Sequence, residues 1–205
     1  MNILIINGSP KPNGNTATAI AEMLPIFKKE GIETEVMQIG NIPVRGCIAC
    51  NRCAELGRCI FDDIVNEAAK KLEKADGMII ATPVYYASAN GTLISFLDRL
   101  FYSGSFDCTM KVGASIAVAR RGGISATFDE LNKYFTINSM PIASSQYWNG
   151  VHGRMPGEAN KDAEGLQTMR TLARNMSFLI KCIHDGKEQY GLPEKEEFTA
   201  THFIR

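Results

Sequence analysis

Residues 3–16 read Ile-Leu-Ile-Ile-Asn-Gly-Ser-Pro-Lys-Pro-Asn-Gly-Asn-Thr, an apolar run that breaks into a Gly/Pro/Asn-rich turn. From Asn15 or Thr16 the chain continues as helix-compatible sequence, Ala17-Thr-Ala-Ile-Ala-Glu-Met-Leu24. A buried strand, a hydroxyl-bearing loop and a helix in that order bring unpaired backbone N–H groups and the positive end of a helix dipole to the loop, which favours an anion. The loop departs from a Walker A loop: five residues rather than four separate Gly8 and Gly14, and Asn15 stands where the lysine belongs. The Gly-x-Gly-x-x-Gly turn of dinucleotide sites is absent too. What remains, Ser9, Asn15, Thr16 and several N–H groups, suits one terminal monophosphate. An ordinary βα turn with a helix cap is the plainer alternative.

Working outward, strands and helices alternate. Apolar positions Ile20, Met23, Leu24 and Phe27 define a helix over 16–30, and 32–39 is strand-like. Asp62-Asp63 is an N-cap signal for a helix running to Lys74. Residues 77–82 and 111–119 are continuous apolar strands, each followed by a loop and a helix, the first with Leu93, Phe96, Leu97, Leu100 and Phe101 on one face and the second over 125–137. Ser139–Ser144 reads as a short last strand, 147–153 as an aromatic loop, and 161–185 as a long amphipathic helix before a polar tail. Strands that are apolar throughout imply a parallel sheet covered on both faces. The expected fold is α/β, flavodoxin-like, with five parallel strands in the order 2-1-3-4-5, helices on both faces and a ligand at the carboxyl ends of the strands. One domain over 1–205 is expected, carrying a cysteine-rich loop at 46–60 and a C-terminal helix plus tail.

The chain has 205 residues and a formal net charge of zero, which argues against nucleic acid or an anionic membrane as partner. The first residues lack the basic n-region and unbroken apolar stretch of a signal peptide, so none is expected, and no apolar run reaches membrane-spanning length. With six cysteines and no secretory signal, the expected compartment is reducing and cytoplasmic.

Three loops leave the carboxyl ends of strands and converge on one sheet edge: 8–16, 83–90 and 120–123. Tyr85 and Tyr86 offer flat surfaces for stacking, and Gly122-Gly123 admits close backbone approach. A phosphate cradle, an aromatic wall and a glycine loop together suit a mononucleotide with a large planar ring, FMN.

Gly8-Ser-Pro-x-x-x-Gly-Asn-Thr16, Pro83-Val-Tyr-Tyr86 and Phe96-Leu-Asp-Arg99 resemble the NADPH-dependent FMN reductase branch of the flavodoxin-like fold, over about residues 1–150. The cysteine run narrows the resemblance to the iron–sulfur flavoproteins. It implies FMN phosphate at Ser9, Lys11, Asn15 and Thr16, ring contacts from Pro83, Val84, Tyr85 and Tyr86, and the loop Arg120–Gly123, with Gly122, beside the pyrimidine end of the ring. It also implies NAD(P)H as co-substrate and a homodimer or homotetramer with FMN near a subunit interface.

Cys47-x2-Cys50-x2-Cys53-x5-Cys59 lets one short loop wrap three corners of a cubane, with Cys59 supplying a local fourth thiolate. The spacing matches that of the iron–sulfur flavoproteins, which carry [4Fe–4S]. Zinc, empty thiols and a dithiol/disulfide pair stay open as alternatives. Cys108 and Cys182 stand alone and read as buried small hydrophobes. His152, His184 and His202 form no catalytic or metal constellation by spacing, and Trp148 and Asn149 read equally as substrate pocket or packing. No catalytic side chain is named. The function expected is an FMN-dependent oxidoreductase passing electrons from NAD(P)H or a reduced carrier, ferredoxin among them, to a flavin, quinone or similar acceptor. The alternative is an electron-carrier or redox-sensing flavoprotein without turnover.

Overall fold

In a computed structural model, residues 1–197 and 199–201 are described; His202 lies outside them. Five parallel strands, β1 (Asn2–Asn7), β2 (Glu33–Gln38), β3 (Gly77–Pro83), β4 (Val112–Ala119) and β5 (Gly150–His152), form one sheet in the order β2-β1-β3-β4-β5. The helices are α1 (Asn15–Lys29), the short α2 (Cys53–Leu56), α3 (Ile64–Lys74), α4 (Gly91–Ser103), α5 (Ile124–Thr136) and α6 (Ala163–Tyr190). The order and the parallel pairing are those expected.

Period-2 alternation sorts β1 between two cores. Ile3 and Ile5 pack with Ile20, Met23 and Phe27 of α1 and Met169, Leu172 and Met176 of α6. Leu4 and Ile6 pack with Leu72 of α3, Phe96 and Leu100 of α4, and Leu131 and Phe135 of α5. With both faces covered, every residue of β4 is buried, which explains its unbroken apolar run. Helix starts follow their caps: Asp63 accepts from Val65 N at 3.1 Å and Asn90 from Thr92 N at 2.8 Å.

The edge beyond β4 differs from expectation. Residues 139–144 make one parallel bridge, Ile142 to Gly113, through Gly113 N to Pro141 O and Ala143 N to Gly113 O, both 2.8 Å. Pro141 has no N–H to extend the ladder, and the chain detours through 144–148. It returns to β4 only at 150–152, inside the segment expected to be an aromatic loop. The last helix also runs five residues past its expected end, to Tyr190.

Phe135 is fully buried, and its ring lies where a side chain on Gly113 would stand, 2.5 Å from that Cβ position. Phe135→Ala is expected to lower the unfolding free energy by about 3–5 kcal/mol, measured by urea denaturation.

Candidate functional site

The carboxyl ends of β1, β3 and β4 are in register, with Asn7 beside Ala81 and Ala81 beside Ile116, so the loops that leave them share one edge. The first loop is built by its own polar groups. Ser9 N donates to Asn7 Oδ1 at 3.0 Å, Lys11 N to Ser9 Oγ at 3.1 Å, and Gln38 Nε2 to the Ser9 carbonyl at 2.5 Å. Gly14 is the N-cap of α1 in extended conformation, and among the described residues no side chain caps the helix. The first-turn N–H groups therefore face the loop without a side-chain acceptor, the arrangement that attracts an anion. Ser9 and Thr16 are buried here and Lys11 is exposed. The Asn15 amide is committed elsewhere: Nδ2 donates to Met155 O at 3.0 Å and Oδ1 accepts from Ala159 N at 3.2 Å. Asn15 so ties the 155–159 segment to the start of α1, leaving its backbone N–H toward the loop.

The second loop is a tight turn. Tyr85 and Ser88 exchange N–H···O bonds of 2.9 and 3.0 Å, and between them Tyr86 and Ala87 have φ of 53° and 58°. Positive φ at two successive residues with side chains is strained. Glu130 of α5 holds the turn, its carboxylate accepting from Ser88 Oγ and from Ala89 N, all at 2.9 Å. Tyr86 is fully exposed and Tyr85 nearly half so; Pro83 and Val84 are half-buried beneath them.

Gly123 brings the third loop against the second. Its φ is +95°, and a Cβ there would lie 2.8 Å from Val84 Cγ1 and 3.0 Å from Ala87 Cα. Gly122 faces open space, and Arg120 and Arg121 are exposed. Beside these glycines opens a cavity of about 320 Å³, walled by Tyr147 and Trp148, His152, and Gly165 and Thr168 of α6. The Tyr147 and Trp148 rings lie 5.1 Å apart. Trp148 thus belongs to the cavity, whereas Asn149 is buried, its carbonyl accepting from Ala117 N at 3.0 Å. Sequence reasoning missed the contribution of α6; only the length of that helix signalled it.

Cys47, Cys50, Cys53 and Cys59 line a single recess with Ile60, Phe61, Tyr102 and Arg99. All four thiols are free; Cys47 and Cys50 are exposed and Cys59 is buried. Among the described residues no group of three or more His, Cys, Asp or Glu is arranged to hold a metal ion. Four thiols on one recess are the donor set that an iron–sulfur cluster or a zinc ion would use. The free space in the recess is about 20 Å³, room for about one water.

Of the lone cysteines, Cys108 is buried and its thiol is pushed up to about 11 by desolvation. Cys182 is exposed, against the expectation for it: on the amphipathic α6 it falls outside the buried stripe of Met169, Leu172, Ala173, Met176 and Ile180. His152 Nδ1 lies 3.4 Å from Asp162 and His184 Nε2 3.5 Å from Glu188; neither joins the cysteines. No helix of the described residues is long and apolar enough to cross a membrane.

The model of the family described as NADPH-dependent FMN reductase matches residues 1–153. An iron-sulfur flavoprotein of Methanocaldococcus jannaschii is 35% identical over 191 residues, covering 89% of this chain and 99% of that protein. Among solved structures, RosB with a bound 8-demethyl-8-formylriboflavin-5′-phosphate intermediate superposes with a TM-score of 0.71 at 16% identity, over 100% of this chain and 92% of the other. A Streptococcus pneumoniae flavodoxin gives 0.56 at 12% identity, over 86% and 97%. The fold is therefore flavodoxin-like.

The Glu130 contacts carry a consequence for loop motion. Glu130→Ala is expected to speed amide exchange at Ala89 by about 10-fold or more, the weight of a hydrogen bond to a charged acceptor, while exchange in β3 and β4 stays unchanged.

Proposed function

The chain belongs to the NADPH-dependent FMN reductase family, and from that premise we propose that it is an FMN-dependent oxidoreductase that takes electrons from NAD(P)H or a reduced carrier such as ferredoxin. Its acceptor is a flavin, quinone or similar small molecule, and a [4Fe–4S] cluster on Cys47, Cys50, Cys53 and Cys59 extends the electron path. The observation that carries this reading is the convergence of an uncapped helix N-terminus, an exposed tyrosine turn and an open glycine loop on one strand-end edge. Bound there, FMN supplies hydride acceptance and release of electrons singly or in pairs, and a cluster supplies one-electron storage.

The chain's own groups would act as follows. Ser9 Oγ, the N–H groups of Asn15 and Thr16 and the Lys11 ammonium hold the phosphate. Pro83, Val84, Tyr85 and Tyr86 support the ring, and the backbone of Gly122 and Gly123, with Arg120, lies by its pyrimidine end. Tyr147 and Trp148 wall the adjoining cavity, where they exclude water from a second flat substrate. No side chain is required as acid or base. The whole of 1–205 acts as one FMN-binding unit, and exposed Ile48, Leu56, Ile60, Tyr86 and Tyr102 support assembly as a homodimer or homotetramer. The relative's name, iron-sulfur flavoprotein, supports the cluster over zinc, and the shared recess of the four thiols supports either over bare thiols.

Purified protein is expected to show flavin absorbance, or to acquire it with added FMN, and to oxidise NAD(P)H in the presence of a quinone or flavin acceptor. A protein that neither contains nor binds FMN would sink the proposal. Ser9→Ala is expected to weaken FMN binding about 10-fold, read by fluorescence titration. Anaerobic preparation is expected to give about four iron per chain with matching sulfide, and Cys50→Ser to lose most of both; zinc in place of iron would reject the cluster.

A further inference from the structure

Arg99 is the largest fully buried side chain of the described residues, and it is charged. A buried guanidinium is costly unless each face of its fork is matched. Here one face is bidentate to Asp63: Nη1 to Oδ2 at 2.7 Å and Nη2 to Oδ1 at 2.9 Å. The other face points at sulfur, with Nε 3.3 Å and Nη2 3.2 Å from Cys59 Sγ. The Arg45 carbonyl takes a further bond at 3.4 Å, and the Phe61 ring lies 5.1 Å beneath the guanidinium carbon.

Cys59 is fixed from the backbone side as well. Its N–H donates to Asn66 Oδ1 at 3.1 Å, and Asn66 Nδ2 returns to the Cys59 carbonyl at 3.0 Å. The contrast with the other three thiols is sharp. They sit on or beside a segment that is exposed, irregular and interrupted by positive φ at Ala49 and Asn51. Cys47 Sγ accepts only from Ala49 N at 3.4 Å and Cys53 Sγ reaches only the Tyr102 carbonyl at 3.9 Å, so Cys59 is the sulfur held most firmly, and the one that receives two N–H donors from a cation.

We infer that Arg99 is a positioning residue for Cys59: it fixes this thiolate as the anchoring ligand of the cluster and, by donating to its sulfur, sets the reduction potential of the cluster upward. The inference rests on the cluster reading given above. Its physical basis is general. N–H donors on a ligating sulfur stabilise the more negative, reduced state, and hydrogen bonds to the sulfurs are among the levers on cluster potentials. Lysine retains the charge but has no planar fork, so it cannot serve Asp63 and the sulfur together in this geometry.

The test uses the anaerobically reconstituted 205-residue chain, with iron and sulfide quantified and the midpoint potential read by EPR-monitored titration. Arg99→Lys is expected to retain about four iron and to shift the reduction equilibrium about tenfold toward the oxidised form, about 59 mV lower for a one-electron couple. Asp63→Asn keeps a competent N-cap for α3 while loosening the clamp, so it is expected to shift the potential the same way by less. It carries the test alone if Arg99→Lys does not fold. Arg52→Lys, on an exposed side chain of the same segment, is expected to leave the potential where it was. Full clusters at wild-type potential in Arg99→Lys, or in Asp63→Asn where that variant stands alone, overturn the assignment. Absence of iron and sulfide from the wild type overturns the cluster reading instead. In the metal-free chain, Arg99→Lys and Cys59→Ala are expected to lower the melting temperature by less together than the sum of their separate effects; strict additivity rejects the contact itself.

Discussion

A parallel sheet sends every strand the same way, so every strand-to-helix loop emerges at one edge, and the rest of this molecule hangs on that constraint. Because β1 lies between β2 and β3, the chain reverses its direction of travel across the sheet after β2, and the first loop comes to stand beside the loops after β3 and β4. None of these three loops is informative alone. Their value comes from register: Asn7, Ala81 and Ile116 are level across the sheet, so the start of α1 and the two later loops stand side by side. The membership of the chain in the NADPH-dependent FMN reductase family agrees with this arrangement at the level of ligand class.

The cysteine recess is organised differently. It does not sit on the loop edge but beside the far part of α4. Arg99 stands eight positions after Gly91, about 12 Å along that helix. Asp63 links the two halves of the arrangement, since its carboxylate caps α3 through Val65 N and clamps Arg99 at the same time. The recess is thus attached to the scaffold through the starts and faces of two helices, while its three remaining thiols make only longer contacts, Cys47 Sγ with Ala49 N at 3.4 Å and Cys53 Sγ with Tyr102 O at 3.9 Å.

Legibility in the sequence tracked how local each signal was. The buried strands β3 and β4 and the cap Asp63 are fixed by residues within a few positions of one another, and the structure has each where the sequence puts it; the Asn90 cap, equally local, is not among the sequence expectations. The edge strand is displaced, because Pro141 and the detour at 144–148 move its hydrogen bonds to 150–152, and only the partner strand reveals that register. Asn15 is expected at the phosphate, and its side-chain amide bonds residues 140 and 144 positions away, which leaves only its backbone N–H for that role. The long range of that contact is why no spacing could show it. Arg99 was noted only as the end of a motif, since a buried arginine and a solvated one look alike until the fold closes over them.

The turn at Tyr86 and Ala87 shows how the fold makes room for an unfavourable conformation. Two side-chain-bearing residues in the left-handed region cost about 1–2 kcal/mol each, and Asn-Gly would adopt the same turn with little strain. The bonds to the Glu130 carboxylate, at about 1.5–3 kcal/mol for a hydrogen bond to a charged group, offset a cost of that size. Glycine at position 87 would relieve strain but also free the loop, and asparagine at 86 would remove the ring that the turn now projects fully into solvent. The sequence therefore retains strain where relief would cost an aromatic surface. That surface is presented by a turn braced from α5 and wedged against Gly123, so the backbone beneath it is set by the scaffold. An exposed tyrosine on a slack loop would carry the freedom of its backbone as well as its own; here the backbone of the turn is already ordered and only the side chain stays free.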